Sequence, residues 1–168
     1  IVDLPEMLIY SAYHIDKNCN QINIEFGTDE IVNINNKSNT VFFLTPDQIN
    51  LVPDNSINFQ FSINAFMEMR NDISNRYIKE MYRLGAEESI TMIIARINEL
   101  FLEGNIKEIN NPYTYEYSSN DNIISMGPDF LQDHSRSLLR DTPFSPSMIR
   151  ISKINSDNEV IKKLNFHR

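Results

Sequence analysis

The sequence predicts an α/β protein built on a mostly parallel sheet with an antiparallel edge. Short β-branched and aromatic runs, Thr40–Leu44 and Phe59–Ile63, alternate with stretches of helical periodicity, Leu4–Ile15 and Asn71–Leu84. That is the pattern of strand–helix–strand units. After Asn105 the texture changes to short aromatic and Pro-punctuated segments, NNPYTYEY and NIISMGPDF, closed by SMIRISKI. Such segments suit strands added in the opposite direction at one edge.

Taken in order, Ile1-Val2-Asp3 reads as a strand end. Leu4-Pro5-Glu6 then starts a helix with Pro in its first turn, where the missing N–H costs nothing. Leu4, Leu8, Ala12 and Ile15 recur at helical spacing. Lys17–Asn23 is a polar connector, Ile22, Ile24 and Phe26 alternate as a short strand ending at Gly27, and the Asn-rich stretch 33–39 is a loop. Thr40–Leu44 is a buried strand closed by the turn Thr45-Pro46-Asp47, and Gln48–Val52 adds a short strand or turn. Phe59–Ile63 is the next buried strand. Ile73, Tyr77, Met81 and Leu84 share one face of a helix that Gly85 stops. Ser89–Ile97 has the β-branched content of a strand and the 90, 93, 94, 97 spacing of a helix; the β/α alternation favours strand. Tyr113, Tyr115 and Tyr117 alternate as one face of a strand, and a helix is expected from Gln132 to Leu139.

A chain of 168 residues with 41% hydrophobic content suits one domain with an ordinary core. The formal charge of -8, with 15 scattered Lys and Arg, opposes a nucleic-acid partner, which calls for a basic patch or stripe. Cys19 is the only cysteine, so no internal disulfide forms, no Cys/His spacing suggests zinc, and a reducing cytoplasm is expected. No apolar run reaches the roughly 18–20 residues that span a bilayer, and no basic segment precedes a cleavable apolar one. Neither a membrane partner nor export is expected. Because Ile1-Val2-Asp3 looks like the tail of a strand, the chain is expected to be a fragment of something longer.

Asp3 is the most informative residue. An acidic side chain just past the C-terminal end of a strand, with a helix following, is placed to accept hydrogen bonds from the two hydroxyls of a ribose. It also suits a helix N-cap, and spacing alone leaves both readings open. Asn64 and Glu68 follow the strand Phe59–Ile63 and would face the same crevice if both strands belong to one parallel sheet. Asn64 offers donor and acceptor groups; Glu68 can act as acceptor or base, or be a solvated carboxylate in a first helical turn. Asp47 is a third polar group at a strand end, where an Asx turn is the plainer explanation. Of the three histidines, His134, beside Asp133 and Arg136, is the acid/base candidate; His14 and His167 read as structural or exposed. No spacing demands a metal. With only four glycines, Gly27, Gly85, Gly104 and Gly127, no glycine-rich phosphate loop and no GxSxG exist in this sequence.

In order along the chain, IVDLPEMLIYSAYHI, VFFLTPDQINLVPD, FSINAFMEMRNDISNRYIKEMYRL, NNPYTYEY and SPSMIRISKI resemble the sugar O-methyltransferase family of class I S-adenosylmethionine-dependent methyltransferases. The resemblance covers most of the chain, and its most specific parts are DLPE and the N-x-F-x-E-M junction before YIKEM. It implies a Rossmann-like fold, of which residues 1–168 form one partial domain from the second strand onward. The N-terminal strand and its Gly-rich loop are missing, which would expose the sheet centre. It further implies S-adenosyl-L-methionine as cofactor, with Asp3 on the ribose, Asp47 by the adenine side and Asn64 at the methionine end. Glu68 or His134 becomes the base.

The expected function is therefore methyl transfer to a hydroxyl of a sugar or glycosyl-linked acceptor. Two alternatives stand beside it: a non-catalytic Rossmann-like interaction module, and a nucleotide- or nicotinamide-binding oxidoreductase, since an acid after the second strand marks those folds as well.

Overall fold

A computed structural model describes residues 1–28, 30, 37–97, 99–103, 106–128 and 147–154. The backbone forms two compact units, Ile1–Ser56 and Ile57–Arg168, and each is taken by itself. The expected helix Gln132–Leu139, His134 within it and most of the Asn-rich stretch lie outside the described residues. No helix among the described residues is long and apolar enough to cross a membrane.

In the first unit, α1 (Pro5–Asn18) precedes the parallel strands β1 (Asn23–Phe26) and β2 (Thr40–Phe43), paired from Asn23↔Thr40 to Phe26↔Phe43. The Ile1–Asp3 segment runs parallel along the other edge of β2. Leu44 N–H donates to the Ile1 carbonyl (2.9 Å), Asp3 N–H donates to the Leu44 carbonyl (3.2 Å), and Val2 bridges Leu44. The Phe43 carbonyl meanwhile accepts from Gly27 N–H on the β1 side, as alternation along a strand requires. Leu8 and Ala12 of α1 pack on Phe43, with Ile15, Ile24 and Val41 around them.

Leu4 departs from the expected stripe. It is the N-cap residue and is exposed, so the buried face begins at Leu8. The helix runs past Ile15 to Asn18, whose side-chain amide donates to the His14 carbonyl (2.8 Å), satisfying a last-turn acceptor. The expected strand or turn at Gln48–Val52 is a 3₁₀ turn, Pro46–Leu51. Pro46 fixes the entry torsion, and Thr45 and Gln48 form a capping box in which Thr45 N–H donates to Gln48 Oε1 (3.1 Å).

The second unit contains β3 (Ile57–Ile63), α2 (Asn71–Leu84), β4 (Gly85–Arg96), β5 (Glu99–Glu103), β6 (Ile106–Asn110), β7 (Asn122–Pro128) and β8 (Ser147–Lys153). The sheet order is β3-β4-β8-β7, with β3 and β4 parallel and β8 and β7 antiparallel at the edge; β5 and β6 form a separate antiparallel pair. The chain is thus a mixed α/β structure with parallel strands and an antiparallel edge, as its element pattern predicts. Ser89–Ile97 resolves as strand: Ser89, Thr91, Ile93 and Ala95 are the buried alternate positions of β4.

Three details differ from expectation. β3 is a strand, yet Phe59, Phe61 and Ile63 are 52%, 63% and 46% exposed while Gln60 and Ser62 are buried. Gln60 is accommodated because its amide donates to the Met81 carbonyl near the end of α2 (2.8 Å), which accepts from Gly85 N–H as well and has a second lone pair to offer. The buried stripe of α2 is rotated toward Ser74, Ile78 and Leu84, leaving Ile73 exposed, since Ser74 Oγ–H donates to the Phe66 carbonyl (3.0 Å). Gly85 ends the helix without a left-handed turn and opens β4 directly with φ -65°. Its missing side chain matters for space, because a Cβ there would overlap Ile154 and come within 2.6 Å of Ser89 Oγ.

Phe66, Ile78, Ile93 and Tyr115 form the core, with Tyr77, Met81, Tyr82 and Tyr117 against it. The tyrosine alternation does not make a strand face. Asn111 Oδ1 accepts from Tyr113 N–H (3.0 Å) and Pro112–Thr114 is a 3₁₀ turn, which turns Tyr113 outward and Tyr115 into the core. Beside this core a buried ion pair joins Arg150 of β8 to Asp121 (2.5 Å), with side chains 3% and 2% exposed. Tyr82 O–H also donates to Asp121 (2.6 Å), Arg150 donates to Ser152 Oγ (2.6 Å), and the guanidinium lies 3.9 Å over the Tyr117 ring. Removing one partner strands a buried charge, so Asp121→Ala is expected to cost roughly 3–5 kcal/mol. Urea unfolding measures it, and a loss below about 1 kcal/mol would contradict the reading.

Candidate functional site

The sequence-selected residues fall into two groups. Asp3 and Asp47 belong to the first unit, where Ile1–Asp3, β1 and β2 all run the same way, so their C-terminal ends emerge at one edge. Asn64 and Glu68 belong to the second, in the turn that leaves β3.

Asp3 sits one residue past the Val2–Leu44 bridge and is exposed. Its Oδ1 accepts from Leu4 N–H (2.8 Å). The helix takes Leu4 as N-cap with no side-chain cap, so Asp3 is not the cap residue that the plainer reading supposes. The Leu4 bond orients the carboxylate and leaves acceptor capacity toward solvent, since an ionised carboxylate offers about four lone-pair sites.

Asp47 is the second residue of its 3₁₀ turn, exposed, with Thr45 before it. A hydrogen bond from the Thr45 side chain, followed by one from its own backbone N–H, lowers its carboxyl below the ordinary value. The fold therefore favours the ionised form, a preference lost as pH falls through the acid range.

Asn64 is partly buried and adopts left-handed φ 59°, which Asn tolerates better than most residues. Its N–H donates to the Ile94 carbonyl (2.7 Å), closing the β3–β4 ladder. A 3₁₀ turn, Phe66–Glu68, follows, with Phe66 and Met67 buried and Glu68 exposed. The buried pair anchors the turn; Glu68 projects from it with its carboxylate available as acceptor or base. His134 lies outside the described residues. Among those residues no group of three or more His, Cys, Asp or Glu stands together to hold a metal ion.

Sequence reasoning missed the residues behind this turn. Asn110 donates both side-chain amide hydrogens, to the Phe66 carbonyl and the Met69 carbonyl (2.7 Å each), and its Oδ1 accepts from Tyr115 O–H (2.5 Å). Nothing local marks Asn110; the only hint is the Asn-Asn-Pro that starts the next turn.

No family model and no curated protein matches the chain. Among solved structures it is similar to an S-adenosylmethionine-dependent methyltransferase from Mesorhizobium loti, with 11% identity and a TM-score of 0.47 over 90% of this chain and 78% of that one. It is similar to a SAM-dependent methyltransferase from Archaeoglobus fulgidus, with 10% identity and a TM-score of 0.43 over 90% and 84%. A third likeness is to the cyclase SpnF, with 12% identity and a TM-score of 0.46 over 92% and 73%.

The tyrosines near the core give a pH prediction. Burial pushes the Tyr115 phenol up to about 12, while hydrogen bonds with Ser74 and Asn110 pull it back; burial likewise raises Tyr82 and Tyr117. A folded-state value above the ordinary value of about 10 means the neutral phenol stabilises the fold fully below that pH. That contribution is lost as pH rises through about 12. Absorbance at 295 nm is expected to show a fraction of the tyrosinate signal that appears only above pH about 12, together with loss of near-UV dichroism; complete ionisation with the fold intact would contradict it.

Proposed function

We propose that this chain serves S-adenosylmethionine-dependent methyl transfer to a hydroxyl of a sugar or glycosyl-linked acceptor. The observation that carries the reading is Asp3: an exposed carboxylate immediately beyond a parallel-paired segment, followed at once by a helix that does not use it as a cap. That placement suits a ribose diol. The motif order of DLPE, the N-x-F-x-E-M junction and YIKEM turns the reading toward methyl transfer and away from nicotinamide chemistry.

The cofactor supplies a methyl group on a positively charged sulfur, open to in-line displacement. Asp3 would hold the ribose hydroxyls through its carboxylate, with Asp47 by the adenine side. Asn64, which has both donor and acceptor atoms, would border the methionine end of the cofactor and the acceptor. Proximity and alignment supply much of the acceleration. Glu68 would accept the proton of the acceptor hydroxyl, with His134 as the other candidate for that role.

Calorimetric titration of S-adenosylhomocysteine into the natural gene product carrying residues 1–168, with Asp3→Ala as control, tests this. Charge-assisted hydrogen bonds worth about 1.5–3 kcal/mol predict a roughly 10- to 100-fold weaker Kd in the variant. No binding by the folded natural protein would overturn the proposal in favour of an interaction module. Binding of a nicotinamide dinucleotide instead would favour an oxidoreductase.

A further inference from the structure

The turn between β3 and α2 cannot hold its shape from local bonds alone. Inside it run two 3₁₀ bonds, Glu68 N–H to the Ala65 carbonyl (3.1 Å) and Met69 N–H to the Phe66 carbonyl (3.2 Å). It must also keep Asn64 at φ 59°, in the left-handed region that non-glycine residues adopt sparingly. Something outside the turn has to fix it, and Asn110 is built to do so.

Asn110 ends β6, where its backbone is registered against Glu99 of β5. Its side chain is 0% exposed. Its two amide hydrogens reach the Phe66 and Met69 carbonyls, its oxygen takes the Tyr115 hydroxyl proton, and Ser74 Oγ–H donates to the same Phe66 carbonyl. Tyr115 in turn packs edge-on against the Phe66 ring, with centroids 6.2 Å apart. A carboxamide has the chemistry this position needs: two donors for two carbonyls and an acceptor for a phenol. Aspartate would set an anion against both carbonyls, and an apolar side chain would take from the Met69 carbonyl and the Tyr115 hydroxyl the bonds that Asn110 supplies.

We propose that Asn110 is a positioning residue for the site at the end of β3: it clamps the Asn64–Met69 turn in the shape that presents Asn64 and Glu68. Its link to methyl transfer rests on the function proposed above; the clamp itself does not. The clamp works because it spans the turn from Phe66 to Met69, so the exposed Glu68 between them cannot shift without straining one of the two amide bonds. Tyr115 and Ser74 hold the clamp and its target in register.

Hydrogen–deuterium exchange of the natural protein and its Asn110→Ala variant, with and without S-adenosylhomocysteine, tests this. The expected result is at least a tenfold rise in exchange confined to residues 64–70, with β4 and β8 little changed. A side chain that merely stabilised the fold would raise exchange in all these segments alike. A uniform rise, or none at 64–70, overturns the proposal. Should Asn110→Ala fail to fold, Tyr115→Phe keeps both amide donors and loses only the phenol bond; a severalfold rise confined to 64–70 is then expected, and its absence overturns the clamp. In the parent protein S-adenosylhomocysteine is expected to slow exchange at the turn, and in Asn110→Ala at least fivefold less. If the ligand protects nothing in the parent, the methyl-transfer reading fails, while the ligand-free exchange pattern still decides the clamp.

Discussion

The guanidinium of Arg150 is the constraint around which the second unit is arranged. A charge with 3% of its surface exposed needs an opposite charge and filled hydrogen-bond positions, and each of its neighbours answers that need. Asp121 supplies the charge just before β7, Ser152 accepts from within β8, Tyr117 offers its ring face, and Tyr82 ties Asp121 to α2. Thr91 and Ser152 hydroxyls meet across β4 and β8 at 2.7 Å. This helix-covered side of the sheet is therefore polar at its centre and apolar at Phe66, Ile78 and Ile93. A well-packed apolar group in place of such a pair is often no less stable. What the pair supplies is selectivity: only one alignment of β8, α2 and the Asp121 turn satisfies every member.

The same logic extends, on a smaller scale, to the turn that leaves β3. There a neutral amide, Asn110, does what Arg150 does for the sheet, joining segments more than 40 residues apart through bonds they cannot make alone. Asp3, Asp47 and Glu68 sit on backbone held in place by such partners and expose their carboxylates. Asp3 is fixed by the Leu44 carbonyl and the Leu4 N–H, Asp47 by the Thr45 capping box, and Glu68 by the clamp on its turn. Rigid backbone beneath exposed carboxylates is the arrangement that positioning chemistry requires.

How much of this was legible in the sequence depends on the range of the interaction. Asn71–Leu84 is readable end to end because helical periodicity is local, and β2, β3 and β8 announce themselves through β-branched and aromatic runs. Which side of β3 faces α2 is not readable, because Gln60 is buried by a bond to Met81 that no local pattern predicts. The tyrosine alternation misleads for the opposite reason: Asn111 and Pro112 impose a turn that outweighs the period of two. Asp3, Asp47, Asn64 and Glu68 could be selected because strand ends are visible in sequence. Asn110, Tyr115 and Ser74 could not, since their meaning lies in carbonyls and side chains brought to them only by folding.

The proposed role of the Asp3 carboxylate as acceptor for a ribose is open to direct observation. The most direct measurement is a crystal structure of the natural gene product grown with S-adenosylhomocysteine. Both ribose hydroxyls are expected within hydrogen-bond distance of Asp3 Oδ1 and Oδ2, with Asp3 still at the end of its parallel-paired segment. Ligand bound elsewhere, with Asp3 still bonded only to Leu4 N–H, would contradict it.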